Sequence, residues 1–289
     1  MSDTVLVTGA TGFIGRRLVA ALRRAGVRVL THSSADGDIA VDPIDAAGVD
    51  RVVHLAGKSF VPESWEAPLG FYRVNVLGTV NVLEFCRKRS VPVTFVSSYV
   101  YGIPDSLPIG EEQPLRPLNP YSQSKIFAEE VVRYFGSQFG VRAVIVRPFN
   151  VYGPGQDERF LIPTLVRQAL DPQADAITVR DGRPRRDFVH VDDLVSLIEA
   201  TCSPAVTGVY NAGSGESVSI ERLVDEINAL LPAPKPLHAT GDARPDDVLD
   251  VVADITRARK ELGWAPRVGL RDGLRGTVRW MQSHTAPVA

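Results

Sequence analysis

Through the first half of the chain, apolar runs of strand length alternate with longer segments whose apolar residues recur every three or four positions. The runs Thr4 to Thr8, Arg28 to Thr31, Ile39 to Val41, Val52 to Leu55, Val93 to Ser97 and Val141 to Val146 read as strands. Between them, Ile14 to Ala25, Phe71 to Arg89 and Tyr121 to Phe139 carry the period of amphipathic helices. Strands that are apolar throughout are buried on both faces, so the pattern predicts an α/β fold, a doubly wound parallel sheet of Rossmann type. After Tyr152 the punctuation changes: Pro154, Gly155, Pro163, Pro172, Gly182 and Pro184 break the chain into shorter elements. A second, smaller α/β lobe is expected there, with residues 1–152 and 187–204 in the larger lobe and 153–186 and 205–289 in the smaller one. No internal repeat or low-complexity segment interrupts this order, and His284 to Ala289 reads as a frayed tail.

At 289 residues, 44% hydrophobic and 23% charged, the chain has enough apolar material for a core without disulfides or a metal. Lysine and arginine number 32 against 34 acids, a net charge of -2, so no broad positive field exists to hold a polynucleotide. Cys86 and Cys202 are far apart and stand near no second thiol or histidine at metal spacing; reduced thiols and no metal are expected. Met1 leads directly into an apolar strand without a basic leader, and no run approaches a membrane span, which makes the cytoplasm the expected compartment.

Two motifs carry chemistry. Thr8-Gly9-Ala10-Thr11-Gly12-Phe13-Ile14-Gly15 lies between a strand and a helix, where Gly9 permits a tight turn, Gly12 admits a pyrophosphate and Gly15 allows helix to pack on strand. The larger lobe therefore reads as a dinucleotide-binding domain. Ser97 and Ser98 end another strand, and Tyr121 and Lys125 follow on a helix started by Asn119 and Pro120. The four-residue step puts phenol and ammonium on one face, where the ammonium favours the phenolate and creates an acid/base for a carbinol or ketone.

In these residues the chain resembles the extended short-chain dehydrogenase/reductase family, in its NAD-dependent epimerase/dehydratase branch acting on nucleotide sugars. Further marks are His54 to Gly57, Asn75 to Thr79, Val100 to Gly102, Arg147 to Gly155, Arg186 to Asp193, Tyr210 to Gly215, Arg244 to Asp247, and Leu262 to Trp264. The resemblance implies NAD or NADP on the larger lobe and a nucleotide-diphosphate sugar held by the smaller, with Ser98, Tyr121 and Lys125 catalytic. Cofactor contacts are implied at Gly9, Thr11, Gly12, Phe13, Ile14, Gly15, Thr31, His32, Asp42, Leu55, Ala56, Gly57, Asn75, Ser97, Tyr121, Lys125 and Pro148. Substrate contacts are implied at Lys58, Ser59, Ser98, Asn150, Arg186, Arg244 and Asp247, the arginines and the amide being suitable donors to a diphosphate.

Several points stay open in the sequence. The serine motif is one residue short of the family's usual form, leaving Ser97 as an alternative to Ser98, and Tyr99-Val100 replaces the Asp-Glu pair of the dehydratases. Thr31 stands where an acid would select NAD, with the neutral His32, Ser33 and Ser34 after it, and Arg16 or Arg17 could reach a 2'-phosphate. C4 epimerisation is the expected reaction; a 4-ketoreductase, a carbonyl reductase of other substrates or a non-catalytic NADP sensor are the alternatives. Loops at Lys58 to Ser64, Gln156 to Pro163 and Arg180 to Arg185 are expected to choose the sugar. The resemblance also implies a homodimer, through stripes Val76, Val80, Leu83 and Phe127, Val131, Tyr134, Phe135; packing within one subunit is the alternative.

Overall fold

A computed structural model of the chain describes residues 3–203, 205–242 and 248–284. The expected alternation is present: β1 (Thr4–Thr8), α1 (Phe13–Arg24), β2 (Arg28–His32), β3 (Arg51–His54), the short α2 (Val61–Glu66) and α3 (Pro68–Phe71), then α4 (Gly78–Arg89) and β4 (Val93–Val96). α5 (Pro120–Phe139), β5 (Ala143–Pro148) and β6 (Asn150–Tyr152) follow, then α6 (Leu161–Leu170), β7 (Ile177–Val179), β8 (Arg185–Arg186) and β9 (Phe188–His190). The chain continues through α7 (Val191–Thr201), β10 (Gly208–Ala212), β11 (Val218–Ser219), α8 (Ile220–Asn228), β12 (Leu237–Ala239), α9 (Thr256–Leu262) and α10 (Leu270–His284).

Six strands form one parallel sheet in the order β10-β5-β4-β3-β1-β2, and the order reverses beside β1. Ligands of such sheets sit at the carboxyl ends of the strands next to that reversal, where diverging loops leave a crevice. Every residue of β1, β3 and β4 is buried, as strands covered by helices on both faces require. One face packs Leu18, Leu22, Leu194 and Ile198 from α1 and α7; the other packs Leu83, Cys86, Ala128 and Val132 from α4 and α5. A third apolar cluster, with Leu165, Leu223, Ile227, Leu274 and Met281, holds α6, α8 and α10 together as the core of the smaller lobe.

Three expectations are corrected. Ile39 to Val41 is a turn, because the amides of Ala40, Val41 and Asp42 all close on Asp38, and Ile39 fills the space beside Gly78 instead of joining the sheet. β10 lies within the 205–289 portion assigned to the smaller lobe, but its pairing with β5 makes it the edge of the central sheet. The segment from Phe71 to Arg89 is not one regular α-helix: Tyr72–Leu77 is a π-helical insertion between α3 and α4.

Candidate active site

The two motifs open into one cavity of about 720 Å³ at the carboxyl edge of the sheet. Gly9, Gly12, Phe13, Ile14 and Gly15 line one side, Leu55, Gly57, Lys58 and Ser59 the floor, and Ser97, Ser98, Tyr121, Lys125, Pro148 and Asn150 the other side. The glycines are there for contact reasons. Gly9 has a φ of +69°, and a Cβ on Gly15 would sit 2.2 Å from the Gly9 carbonyl oxygen, so only hydrogen allows α1 to start this close to the loop. Gly12 caps α1 with no side-chain oxygen, and no acid occupies the first turn. Its free N–H groups and positive dipole end face the cavity, a cradle that suits a dinucleotide pyrophosphate.

Behind the floor, a chain of hydrogen bonds fixes the loop after β3. The Ala56 N–H donates to Thr8 Oγ1, the Thr8 hydroxyl meets His54 Nδ1 at 2.7 Å, His54 Nε2 meets Thr79 Oγ1 at 3.0 Å, and the Thr79 hydroxyl donates to the Asn75 carbonyl. That order is satisfied only by a neutral imidazole protonated on Nε2, in keeping with burial and the nearby Lys125 charge driving the His54 pKa down to about 3. Asn75, on the π-helical insertion, accepts from Lys58 N–H and donates to Ser124 Oγ, stitching the floor to α5. It thus stands behind the cavity, and π-insertions are frequent where a helix must aim a side chain at a site.

Lys125 is 6% exposed and comes from α5 beneath Tyr121. Its Nζ donates to the Val96 carbonyl at 2.7 Å and lies 4.4 Å from the centre of the Phe95 ring. That carbonyl is available because the parallel ladder between β3 and β4 ends early: the Ala56 amide, next in line to pair with it, has turned to Thr8. Burial lowers the Lys125 pKa to about 8. Burial also raises the Tyr121 pKa, with the Ser98 hydroxyl pulling the other way. In this arrangement the Lys125 ammonium addresses the Val96 carbonyl and the Ser98 hydroxyl addresses the phenol.

The serines separate by direction. Ser98 faces Tyr121, whereas Ser97 faces Glu129, whose carboxylate is held low by Arg147 in a buried pair at 2.7 Å. Neither hydroxyl has a hydrogen-bond partner of ordinary geometry among the described residues. Ser98 Oγ is thus a buried hydroxyl beside the phenol with hydrogen-bonding capacity left over at the cavity wall. Tyr99 also lines the cavity and donates to the Gly102 carbonyl at 2.5 Å.

Other expected contacts fall elsewhere. Thr11 and Thr31 line a separate, adjoining cavity. His32 is buried, Ala56 is spent on Thr8, and Asp42 accepts from the Asp38 amide within its own turn. Arg186 donates to the Arg185 and Val248 carbonyls, with its charge felt at the Tyr99 phenol. Arg244 and Asp247 lie outside the described residues. Of the three loops expected to choose a sugar, 58–64 and 156–163 supply cavity walls, including Phe60, Gln156, Arg159 and Phe160, and 180–185 supplies none. Individually these wall residues carried no sequence signal, since Arg159 stacking 4.4 Å over Phe60 joins two loops distant in the chain.

Residues 5–213 match the family described as NAD dependent epimerase/dehydratase. The chain belongs to that family. It is 32% identical to the UDP-glucose 4-epimerase of Azospirillum brasilense over 98% of this chain and 93% of that protein. RMD from Pseudomonas aeruginosa, solved with NADPH, superposes with a TM-score of 0.90 at 30% identity, covering 98% of this chain and 100% of that one. MoeE5, solved with UDP-glucuronic acid and NAD, gives 0.86 at 32% identity over 98% and 100%. Those two neighbours are solved with NADPH and with NAD, and in this chain the glycine cradle and the Ser98, Tyr121 and Lys125 cluster line one cavity. Among the described residues no helix is long and apolar enough to cross a membrane, and no group of His, Cys, Asp or Glu is arranged to hold a metal.

Proposed function

We propose that the chain epimerises a nucleotide-diphosphate sugar at C4 through a transient 4-keto sugar. The observation that carries this reading is the convergence of Ser98, Tyr121 and Lys125 on the cavity that the glycine loop enters. Bound NAD(P) supplies the hydride acceptor and donor. Tyr121 Oη takes the proton of the C4 hydroxyl as that carbon is oxidised, and returns it when the ketone is reduced on its other face. Ser98 Oγ holds the same oxygen, and the Lys125 ammonium, about one turn along α5 from Tyr121, favours the phenolate. Tyr99 and Val100 offer no acid and base for loss of water, so the sequence of proton transfers ends at the returned alcohol.

Asn150, Lys58 and Ser59 line the cavity and are assigned to the nucleotide sugar; Arg186 and Arg244 are assigned to its diphosphate. Exposed Leu77 on the π-helical insertion and Phe127 and Tyr134 on α5 support a homodimer through these faces; Leu83 is fully buried within the subunit and takes no part. A cytoplasmic location is part of the same reading.

A 4-ketoreductase is the second reading, favoured by the absence of an acid at the end of β2. The two separate on incubation with UDP-glucose or dTDP-glucose in D2O. Epimerisation yields the C4 epimer by NMR with no deuterium on C4 and no net change in NAD(P)H; a ketoreductase consumes NADPH with a 4-keto substrate. Tyr121→Phe should lower either activity on the order of a hundredfold or more while dinucleotide binding persists. Arg186→Ala should weaken UDP or dTDP about tenfold. Near-normal turnover in the first variant, or no diphosphate binding by the parent, would refute the reading.

A further inference from the structure

We infer that the chain binds NADP(H) in preference to NAD(H), with the adenosine 2'-phosphate seated between Arg16 and the end of β2. This rests on the dinucleotide reading of the glycine loop and goes further by choosing the cofactor. A second cavity, of about 360 Å³, lies on the far side of that loop, lined by Thr11, Arg16, Ala20, Arg23, Thr31 and Ser33 among others. None of its lining residues is acidic. Selection of NAD calls for a carboxylate at the end of the second strand, to accept from the ribose hydroxyls; a 2'-phosphate calls for a guanidinium in its place.

Strand alternation decides what faces this cavity. Thr31 and Ser33 line it, whereas His32 between them is buried, close enough to His54 to affect its titration. The end of β2 thus offers two hydroxyl side chains and no carboxylate. The nearest acid along the chain, Asp36, is not in the lining; its Oδ2 accepts from both the amide and the hydroxyl of Ser33, at 2.8 Å each. Its charge opposes an anion there, but Oδ2 is spent on closing the Ser33 turn and the residue lies outside the cavity lining.

The arginines of α1 then separate into two roles. Arg17 is committed elsewhere, donating to Asp192 at the start of α7 at 3.3 Å and to the Pro154 carbonyl at 3.1 Å. Arg16, directly after Gly15, is exposed, and its side chain makes no ion pair or hydrogen bond among the described residues. Arg23 shares its face but stands about 10 Å along the helix, two turns on, and adds field more than contact. A guanidinium without a partner, facing a cavity that adjoins the cofactor cradle, is matched by a phosphate dianion, to which it can donate two parallel hydrogen bonds.

The test is a fluorescence titration of the full chain with NADPH and NADH. The parent should bind NADPH at least about tenfold more tightly, and Arg16→Ala should bring NADPH to within about threefold of NADH, with NADH affinity unchanged. Competition by 2',5'-ADP but not 5'-ADP, narrowing as salt rises, should accompany the preference. Because Arg16 is exposed, an unchanged melting temperature is expected and separates lost contact from lost fold. Equal or tighter binding of NADH by the parent overturns the inference, and a preference that survives Arg16→Ala overturns the role given to Arg16. Failure of both dinucleotides to bind would instead refute the cofactor reading on which the inference stands.

Discussion

Lys125→Met tests whether the active site holds its ammonium at the expense of stability. The side chain is 6% exposed, and burial takes its pKa from the ordinary 10.5 to about 8. At about 1.4 kcal/mol per pKa unit, that fall corresponds to roughly 3 kcal/mol of differential stability between the charged and neutral forms. The sign follows from proton counting. Between pH 8 and pH 10.5 the unfolded chain still holds the Lys125 proton and the folded chain does not, so wild-type stability rises with pH through that window; below pH 8 both hold it and the penalty is constant. Methionine keeps the apolar stem in place and cannot titrate. It also leaves the Val96 carbonyl without its donor and the Phe95 ring without its cation, but those losses are independent of pH and set only the offset. Urea unfolding of both proteins from pH 7.5 to pH 10 should therefore show the wild type gaining about 2 to 3 kcal/mol on the variant as pH rises. A difference that stays flat across the range would show that the ammonium is not desolvated as the structure places it. Turnover of the variant should be lost at every pH, since the positive charge beside Tyr121 goes with it.

Gly15→Ala places a Cβ 2.2 Å from the Gly9 oxygen and 2.8 Å from the Ala10 Cα, which must push the loop off α1; dinucleotide affinity should fall tenfold or more and stability by about 1–3 kcal/mol, and unchanged titration and melting curves would count against the cradle. Glu129→Gln leaves Arg147 buried at 2% exposure with no counter-charge, and should cost about 3 kcal/mol or more by urea unfolding; a change under 1 kcal/mol would mean the pair contributes little. Light scattering at micromolar concentration should return twice the subunit mass, and Phe127→Glu, which places a charge on the exposed stripe, should return the monomer; a monomeric parent rejects the proposed dimer.

What could be read along the chain was whatever depends on neighbours in sequence. The alternation of strand and helix periods predicted the sheet; the strand, three glycines and helix predicted the cradle; and the four-residue step from Tyr121 to Lys125 put both on one face of α5. Those are local properties of backbone geometry and spacing, and they survive folding unchanged. What a side chain does with its polar end depends on groups brought from elsewhere, and there only the tertiary structure decided. Lys125 turns to Val96 because β3 ends one rung early, the Ala56 amide having gone to Thr8 and left that carbonyl open. Ser98 rather than Ser97 meets Tyr121 because successive residues leaving a strand point to opposite sides, and Glu129 and Arg147 claim the other side. Ile39 to Val41 has a strand's composition, yet Asp38 closes it into a turn and the sheet already ends at β2. Arg16 and Arg17 are indistinguishable in sequence; a rotation of about 100° around α1 sends one to Asp192 of α7 and the Pro154 carbonyl and leaves the other beside the end of β2.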